Sequence, residues 1–348
     1  MADSQSNTTL LNTEQFVQDI LTSIERERER EIVARRFGLF DRKETLEQIG
    51  ELLGITRERV RQLEKSVIAR LKHAAEQGDL SHITNAEAIF VEQLHSHGEV
   101  ARISRLSDLV TAENTRTDQS RIAFLASLCP SLVVIEDNDR YHYAVGIESV
   151  RNEKSIKAAV AKLVETIKKI GEPGEITVVA KAAGITDAAQ AEALASASKD
   201  LATLNGRWGL IKWPMVNPKN IRDKIYVILK EHGKHMHFNE IAEAIKDSEF
   251  KRKDVTTQAI HNELIKDKRF VLIGRGIYAL KEWGYAKGTV ADIISEVLRE
   301  AGQPLHRDEI VKRVLKSRFV KETTILLNLQ GKNQFKRVAK ATYTLEEA

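Results

Sequence analysis

The stretch "TLEQIGELLGITRERVRQLEKSVIARL", from Thr45 to Leu71, decides the fold of the N-terminal part of the chain. Its apolar residues recur at spacings of three and four, which predicts amphipathic helices rather than strands. Gly54 interrupts this periodicity, and glycine readily adopts the positive φ that ends a helix. The pattern therefore predicts two helices joined by a glycine-containing turn, which is a helix-turn-helix unit.

Threonines mark the start of both predicted helices. Thr45 is followed three residues later by Gln48, which is the spacing of a capping box. Thr56 can cap the second helix, with Arg59 where a capping box would place glutamate. The apolar residues predicted to face a core are Leu46, Ile49, Leu52 and Leu53 on the first helix, and Val60, Leu63, Val67, Ile68 and Leu71 on the second. The opposite face of each helix is left to solvent or to a partner.

The outward face of the second helix is strongly polar in its first turns. Its residues are Arg57, Glu58, Arg59, Arg61, Gln62 and Lys65. The N-terminal turns of a recognition helix are the part that meets base edges in the major groove. Arginine suits guanine, glutamine suits adenine and glutamate can accept from cytosine, while other cations hold phosphates. The alternative is a solvated charged face on a small helical bundle.

A longer stretch, from Glu25 to His73, closely resembles region four of the sigma-70 family of bacterial RNA polymerase initiation factors. The string "TRERVRQLE" is very specific to that family. The resemblance implies that the second helix reads a promoter −35 element and that the domain docks on the flap of the polymerase β subunit. By position, the residues implied to touch bases are Arg57, Glu58 and Gln62, and those implied to lie near phosphates are Arg59, Arg61 and Lys65.

The sequence also departs from that family. A sigma factor needs a further domain that melts the −10 element and grips the polymerase clamp, and the chain has no aromatic-rich helix of that kind. We therefore expect a DNA-binding regulator associated with RNA polymerase rather than an ordinary sigma factor.

Composition indicates a soluble globular chain of several compact units. The chain has 348 residues, is 42% hydrophobic and 30% charged, and carries a net charge of +4. No apolar run approaches the length of a membrane span, and no signal peptide is evident, so we expect a cytoplasmic, nucleoid-associated protein. Aromatic residues make up 5%, which disfavours a stacking-based single-strand binder.

Beyond His73 the chain repeats a plan of about sixty residues: an amphipathic helix, a turn, a short helix, a third helix and a β-rich end. The clearest copy ends in "FVLIGRGIYAL", in which apolar strands flank a glycine turn and predict a hairpin. Three helices and a hairpin make a winged helix. The predicted domains are a helix-turn-helix at 1–76 and winged-helix-like modules at 86–147, 152–213, 216–285 and 288–348, with linkers near 77–86, 148–153, 213–220 and 284–288.

The segment from Met236 to Tyr285 resembles the HARE-type winged helix found in the delta subunit of bacterial RNA polymerase, most clearly in "RFVLIGRGIYALKEWGY". This resemblance implies an accessory module that attaches to polymerase or sits beside DNA-acting enzymes. We expect Ile260, Leu264 and Ile265 of its third helix to pack inward. Candidate DNA contacts are Lys253, Thr256, Thr257, Gln258, His261 and Asn262 on that helix, and Lys268, Arg269 and Arg275 on the wing.

Other patterns carry no predicted chemistry. His232, His235 and His237 lie close together but lack further ligands for zinc, so no metal and no cofactor is expected. The single cysteine, Cys129, is predicted to be buried, and no catalytic motif indicates an enzyme. Residues 86–147 carry 5 basic against 9 acidic residues, so this segment is the least expected to lie on phosphate. "ERERERE", 25–31, is predicted to be a solvated helix with weak ion pairs.

Together these patterns predict a mainly α fold with small β-hairpins, made of a helix-turn-helix and tandem winged-helix-like modules. The expected partners are promoter-like double-stranded DNA and the RNA polymerase core. Two alternatives remain open. One is a DNA-binding component of a restriction, modification or defence system, and the other is a polymerase adaptor that never touches bases.

Overall fold

The computed structural model describes residues 10–252, 254–285 and 287–346. Lys253, a predicted DNA contact, and the ends of the first and last predicted domains lie outside the described residues. The chain divides into two compact units, Met1–Ile211 and Lys212–Ala348. As predicted, the fold is mainly α-helical with small antiparallel sheets.

The first unit begins with four helices. They are α1 (Thr13–Thr22), α2 (Glu27–Phe37), α3 (Leu46–Leu53) and α4 (Arg57–Glu76). The predicted caps of α3 and α4 are confirmed. Thr45 and Gln48 form a complete capping box, and the Thr56 hydroxyl accepts from the Arg59 amide. The predicted helix-turn-helix is therefore α3 and α4.

A module of helix, short strand, helix, helix and hairpin then recurs four times. In the first unit the elements are α5 (Ser81–Ser96), β1 (Val100–Arg102), α6 (Ile103–Val110), α7 (Arg116–Leu128), β2 (Leu132–Ile135) and β3 (Ala144–Ile147), then α8 (Glu153–Ile170), β4 (Gly174–Glu175), α9 (Ile176–Ala183), α10 (Ala188–Ala197), β5 (Leu201–Leu204) and β6 (Arg207–Leu210).

In the second unit the same module occurs twice. The elements are α11 (Ile221–His232), β7 (Met236–His237), α12 (Phe238–Asp247), α13 (Thr257–Lys266), β8 (Phe270–Gly274) and β9 (Ile277–Leu280), a 3₁₀ turn (Lys281–Trp283), then α14 (Val290–Ala301), β10 (Leu305–His306), α15 (Arg307–Ser317), α16 (Glu322–Gly331), β11 (Phe335–Ala339) and β12 (Thr342–Leu345).

Each module closes with a three-stranded antiparallel sheet of winged-helix-like topology. The last strand of the module lies in the centre, between the hairpin partner and a short strand from between the first two helices. The sequence predicted the hairpins but not that short strand, since two or three residues carry no periodicity. The dipeptide Asn205-Gly206 in the sequence predicts a two-residue hairpin turn, and the structure confirms it, because both residues have positive φ.

One apolar core joins the N-terminal helices to the first module. Val67 and Leu71 of α4 lie in the same cluster as Ile20 of α1, Phe90 of α5 and Phe124 of α7. A linker was predicted at 77–86, but α5 begins at Ser81 and follows α4 after four residues, 77–80. The division into five domains remains a prediction, and these two segments share their core.

The first half of α4 packs differently. Val60 joins Ile49 of α3 and Ile32 of α2 in a separate small cluster. Leu52, predicted to face inward, is instead 55% exposed. Although Leu52 lies three residues after Ile49, it is not part of this small cluster.

The two modules of the second unit contact each other directly. The Phe319 amide donates to the Ile273 carbonyl at 3.2 Å, and the Arg318 guanidinium donates to the Leu272 carbonyl at 2.7 Å. The segment before α16 thus lies along β8.

Ile265 of α13, predicted to be buried, is 66% exposed, whereas Ile260 and Leu264 are buried as predicted.

None of the helices in the described ranges combines the length and the apolar character needed to cross a membrane.

Shortening a side chain in the shared core tests whether α4 and the first module unfold together. Leu71 is 5% exposed, so Leu71→Ala should lower the free energy of unfolding by about 2–5 kcal/mol. Hydrogen exchange should show weaker protection in α7 as well as in α2 and α4. Leu52→Ala is the matched control and should change stability by no more than about 0.5 kcal/mol. Loss of protection confined to α2–α4 would contradict a shared core.

Candidate nucleic-acid interface

Two glycines allow the tight turn between α3 and α4. Gly54 has φ of 63°, in the left-handed region, and ends α3. Gly50 lies where the chain folds back, and a Cβ there would come within 2.7 Å of the Ile55 carbonyl oxygen. The Ile55 amide donates to the Gly50 carbonyl at 2.9 Å. The sequence signal at Gly54 was recognised, whereas the close approach at Gly50 was not.

Charged residues of α2 hold α3 and α4 in place. Arg36 lies 3.3 Å from the Glu64 carboxylate of α4, and Arg28 donates to the Leu53 carbonyl at the end of α3. Glu29 is buried and pairs with Arg70 of α4. The prediction that 25–31 is merely solvated is therefore wrong for Glu29, because α4 covers it.

The face of α4 that begins the helix is open. Arg57, Glu58, Arg59, Gln62 and Lys65 are exposed, and Arg61 is half-buried. The residues predicted from the sequence to meet DNA thus lie together on one short helical segment. Since the opposite face of α4 packs on α2 and α3, the helix presents these side chains on a rigid support.

The polar side chains on this face differ in how they are engaged. Glu58 and Arg61 form a two-point ion pair, with oxygen–nitrogen distances of 2.5 Å and 2.9 Å. Arg59 donates to the Gln62 side-chain oxygen at 3.4 Å. Within the described residues, Arg57 and Lys65 make no side-chain ion pair. The Arg61 guanidinium lowers the pKa of the Glu58 carboxyl by hydrogen bonding, so the carboxylate form is favoured.

The two wing arginines predicted in the second unit have different surroundings. Arg269 lies 2.7 Å from the Asp267 carboxylate and 3.1 Å from Asp223, and it stacks near the Tyr226 ring. These contacts neutralise the guanidinium and give it a structural role, which speaks against its assignment to a phosphate. Arg275 lies exposed at the tip of the β8–β9 hairpin.

The polar residues predicted on the third helix of that module are mostly engaged within the module. Thr256 caps α13 by accepting from the Ala259 amide. Gln258 donates to Asn262 at 3.0 Å, and the His261 ring packs near Phe238. This face offers few free hydrogen-bonding groups to a duplex.

The other sequence predictions concern the histidines and the cysteine. His237 caps α12, and His235 stacks on Phe319 with ring centroids 4.5 Å apart. The part of the chain that the structure describes contains no group of three side chains that could hold a metal ion. Cys129 is buried as predicted, and burial raises the pKa of its thiol.

A basic hairpin closes the last module. The wing of the last module, β11 and β12, exposes Lys336, Arg337 and Lys340, with Lys332 just before it. Cations clustered on a hairpin tip are a recognisable sequence signal for phosphate contact.

Comparison with known proteins identifies the helix-turn-helix segment. Residues 26–73 match the family model for sigma-70, region 4. Over 58 residues the chain is 43% identical to the RNA polymerase sigma factor SigA of Bacillus sp. Over 62 residues it is 40% identical to the RNA polymerase sigma factor sigB of Arabidopsis thaliana. We refer to residues 26–73 as the region 4 segment.

The similarity is confined to this part of the chain. It covers 16% and 18% of the chain, and 15% and 11% of the two sigma factors, respectively. The comparison therefore describes the region 4 segment and leaves the function of the whole chain to be inferred.

The ion pair on α4 can be tested by titration. Because the pKa of Glu58 is lowered, its carboxylate contributes stability above the unfolded-state pKa and loses it as the pH falls through the folded-state pKa. Arg61→Ala should move the Glu58 midpoint upward, as read from side-chain carbon shifts by NMR. Lys65→Ala is the control and should leave the midpoint unchanged. An unchanged midpoint in Arg61→Ala would show that the pair is absent in solution.

Proposed function

We propose that this protein is a DNA-binding bacterial transcription regulator that reads a −35-like promoter element with α4 and associates with RNA polymerase. The observation that carries the proposal is the exposed polar face at the start of α4, within the segment that matches sigma-70 region 4. The N-terminal turns of a recognition helix are the part that contacts base edges.

The contacts made by each side chain suggest separate roles. Arg57 extends freely into solvent and suits the two acceptors of a guanine, while Gln62 suits an adenine. Glu58 can accept from a cytosine once Arg61 turns to a phosphate. Both partners of that ion pair are solvent-exposed or half-buried, and such pairs are weak, so exchanging one for a DNA contact costs little. Arg59 and Lys65 complete the phosphate contacts.

The other candidate recognition helices fit groove reading less well. α10 has six alanines among its ten residues, with Glu192 as its one charged residue. α16 carries Glu322 and no cation. α7 has six consecutive buried residues, 121–126, and is enclosed by the core. Among the helices in these positions that the structure describes, α4 alone combines exposure with several cations.

RNA polymerase is the second proposed partner. The two matched proteins are named RNA polymerase sigma factors, and the match to them covers the region 4 segment. In this segment Leu52 and Phe40 remain exposed, so both are available for a protein contact. We propose that this surface docks on the polymerase β flap. The HARE-like module at 216–285 would add a second attachment, and Arg275 on its wing would contact backbone phosphate.

In this proposal the protein acts without a −10 melting domain, is not an enzyme, and works in the cytoplasm on the nucleoid. It would therefore modulate initiation at promoters rather than open them.

Base reading by α4 predicts a specific pattern in DNA binding. The double variant Arg57→Ala/Gln62→Ala should lose the preference for duplexes selected by the wild-type protein from a random pool. Each lost base contact should cost about 1–3 kcal/mol. Lys65→Ala should instead weaken all duplexes alike and reduce the salt slope by about 1.

The control is Arg207→Ala/Gln303→Ala, which removes the same two residue types from exposed positions outside the region 4 segment. It should retain the preference. Sequence preference that persists in Arg57→Ala/Gln62→Ala would exclude base reading and favour the adaptor alternative, in which the segment binds polymerase and never touches bases.

Association with polymerase is tested by retention of purified core enzyme on the immobilised full chain. Wild-type protein should retain it, and Leu52→Glu should reduce retention because it places a charge in the proposed apolar contact. Val150→Glu is the control at another exposed apolar residue and should retain core enzyme normally. No retention by the wild-type chain would favour the alternative of a DNA-binding component in a defence or modification system.

A further inference from the structure

A basic cleft in the first unit lies apart from the exposed face of α4. Its walls come from the loop between α2 and α3, the junction of β1 and α6, the first turns of α7 and the β2–β3 hairpin. Its volume is about 730 Å³, within the range of about 300–1,000 Å³ that is usual for small-ligand sites. Its charged lining consists of Arg42, Lys43, Arg102 and Arg116 with Asp41 and Asp137.

Positive charge in the basic cleft is only partly compensated. Four cations face two carboxylates, and Asp137 is already taken by Lys199, whose ammonium lies 3.0 Å away. Among the residues that the structure describes, none of the four cations has a carboxylate within 4.0 Å. Elsewhere in the unit arginines such as Arg35 and Arg36 are paired with glutamates. The basic cleft therefore gathers cations that have no carboxylate partner.

Arg102 is the residue of the basic cleft on which the case for a bound anion mainly rests. It is half-buried, and its Nε is fully covered without any hydrogen-bond partner. A buried polar group without a partner is costly, and a charged one more so. Arg102 also directly precedes α6, which has no side-chain cap. Helix N-termini and guanidinium groups both favour an anion.

The electrostatic state of the cleft residues agrees with an empty anion site. Burial lowers the pKa of Arg102. Loss of solvent around the Lys43 ammonium, together with repulsion from Arg36, lowers the pKa of Lys43 although part of the side chain reaches solvent. Burial, followed by repulsion from Arg102 and Lys199, lowers the pKa of His142 at the same wall. Burial is the largest cause of all three shifts, and attraction to the Asp137 carboxylate opposes each of them.

The shape of the cleft limits what can enter it. A duplex cannot sit on α7 in the usual way, because residues 121–126 of this helix are buried in the core. The Arg42–Lys43 loop also stands beside its first turns. A single phosphate group, with its small size and several acceptor oxygens, fits the space and the four donors.

We propose that the basic cleft binds a phosphate group, held by Arg102 and Lys43, with Arg42 and Arg116 at the rim. The source is either the backbone of bound DNA or a free phosphate-bearing nucleotide. A DNA phosphate and a nucleotide phosphate would present the same anionic oxygens to these cations. The site does not depend on base reading by α4.

The proposed site differs from an expectation drawn from composition, which itself stays a prediction. Residues 86–147 are acidic in sum and were the least expected to lie on phosphate. Folding places Arg102 and Arg116 of that segment beside Arg42 and Lys43 from outside it, while most of its carboxylates lie elsewhere. The charges that line a cleft, rather than the summed charge of a sequence segment, decide whether an anion binds there.

The test is titration calorimetry, in which inorganic pyrophosphate is added to the full chain. Wild-type protein should bind pyrophosphate at one site. Arg102→Met and Lys43→Met should each weaken binding by at least about tenfold, because a charge-assisted contact is lost. The matched control is Arg105→Met, since Arg105 lies on α6 three residues from Arg102 and is already paired with Asp108 at 2.9 Å.

Thermal unfolding separates a binding role from a structural one. Without ligand, Arg102→Met should unfold at the same temperature as wild type or higher, because it removes a half-buried charge that lacks a partner while keeping an apolar stem. Pyrophosphate should raise the unfolding temperature of wild-type protein and of Arg105→Met but not of Arg102→Met. No binding by the wild-type chain, or equal weakening in Arg105→Met, would overturn the proposal.

A duplex titration at several salt concentrations identifies the source of the phosphate. If Arg102→Met also weakens duplex binding and flattens its salt slope, the cleft holds a DNA phosphate. If duplex binding is unchanged while pyrophosphate binding is lost, the ligand is a free phosphate-bearing molecule. Either outcome supports a phosphate site.

Discussion

The buried guanidinium of Arg121 fixes the region 4 segment on the first winged-helix-like module. Arg121, on α7, is 9% exposed, and its Nε donates to the Leu39 carbonyl at 2.8 Å. Its other nitrogens reach Glu14 of α1 at 2.9 Å and Asp118 at 3.8 Å. A charge buried this far is tolerated only when several acceptors surround it, and removing them leaves a large penalty. The loop after α2 is therefore held against α7, and the positions of α3, α4 and the basic cleft follow from that contact.

Charge in this protein has three different uses, which pairing and burial distinguish. Arg36, Arg70 and Arg269 each face carboxylates, so they hold elements together. Arg57 and Lys65 project without ion pairs from a helix that is rigidly supported, so they remain available to a partner. Arg102 is half-buried without a counter-charge, and that is the least stable arrangement of the three. A sequence count treats all of these as basic residues, but only the folded chain separates paired cations, exposed unpaired cations and half-buried unpaired cations.

Local signals in the sequence were sufficient where the cause is local. The caps at Thr45 and Thr56, the left-handed Gly54 and the turn at Asn205-Gly206 depend on neighbouring residues, and each was predicted correctly. The exposure of Leu52 and the burial of Glu29 depend on which helix packs where, so periodicity alone placed both wrongly. The basic cleft draws residues from four segments separated by up to about a hundred positions, and no motif within one segment marks it.

Two helix-turn-helix arrangements of the first unit, α3–α4 and α6–α7, differ in the exposure of their second helix. In α3–α4 the start of the second helix is exposed and only its later residues enter the common core. In α6–α7 the second helix is buried from Arg121 to Ala126, and the region 4 segment packs upon it. One helix cannot both complete a core and enter a major groove, because the same side chains would have to be dry and exposed. Because the region 4 segment packs on α7, the start of α4 stays exposed and only the first turns of α7 remain open, which is the part that lines the basic cleft.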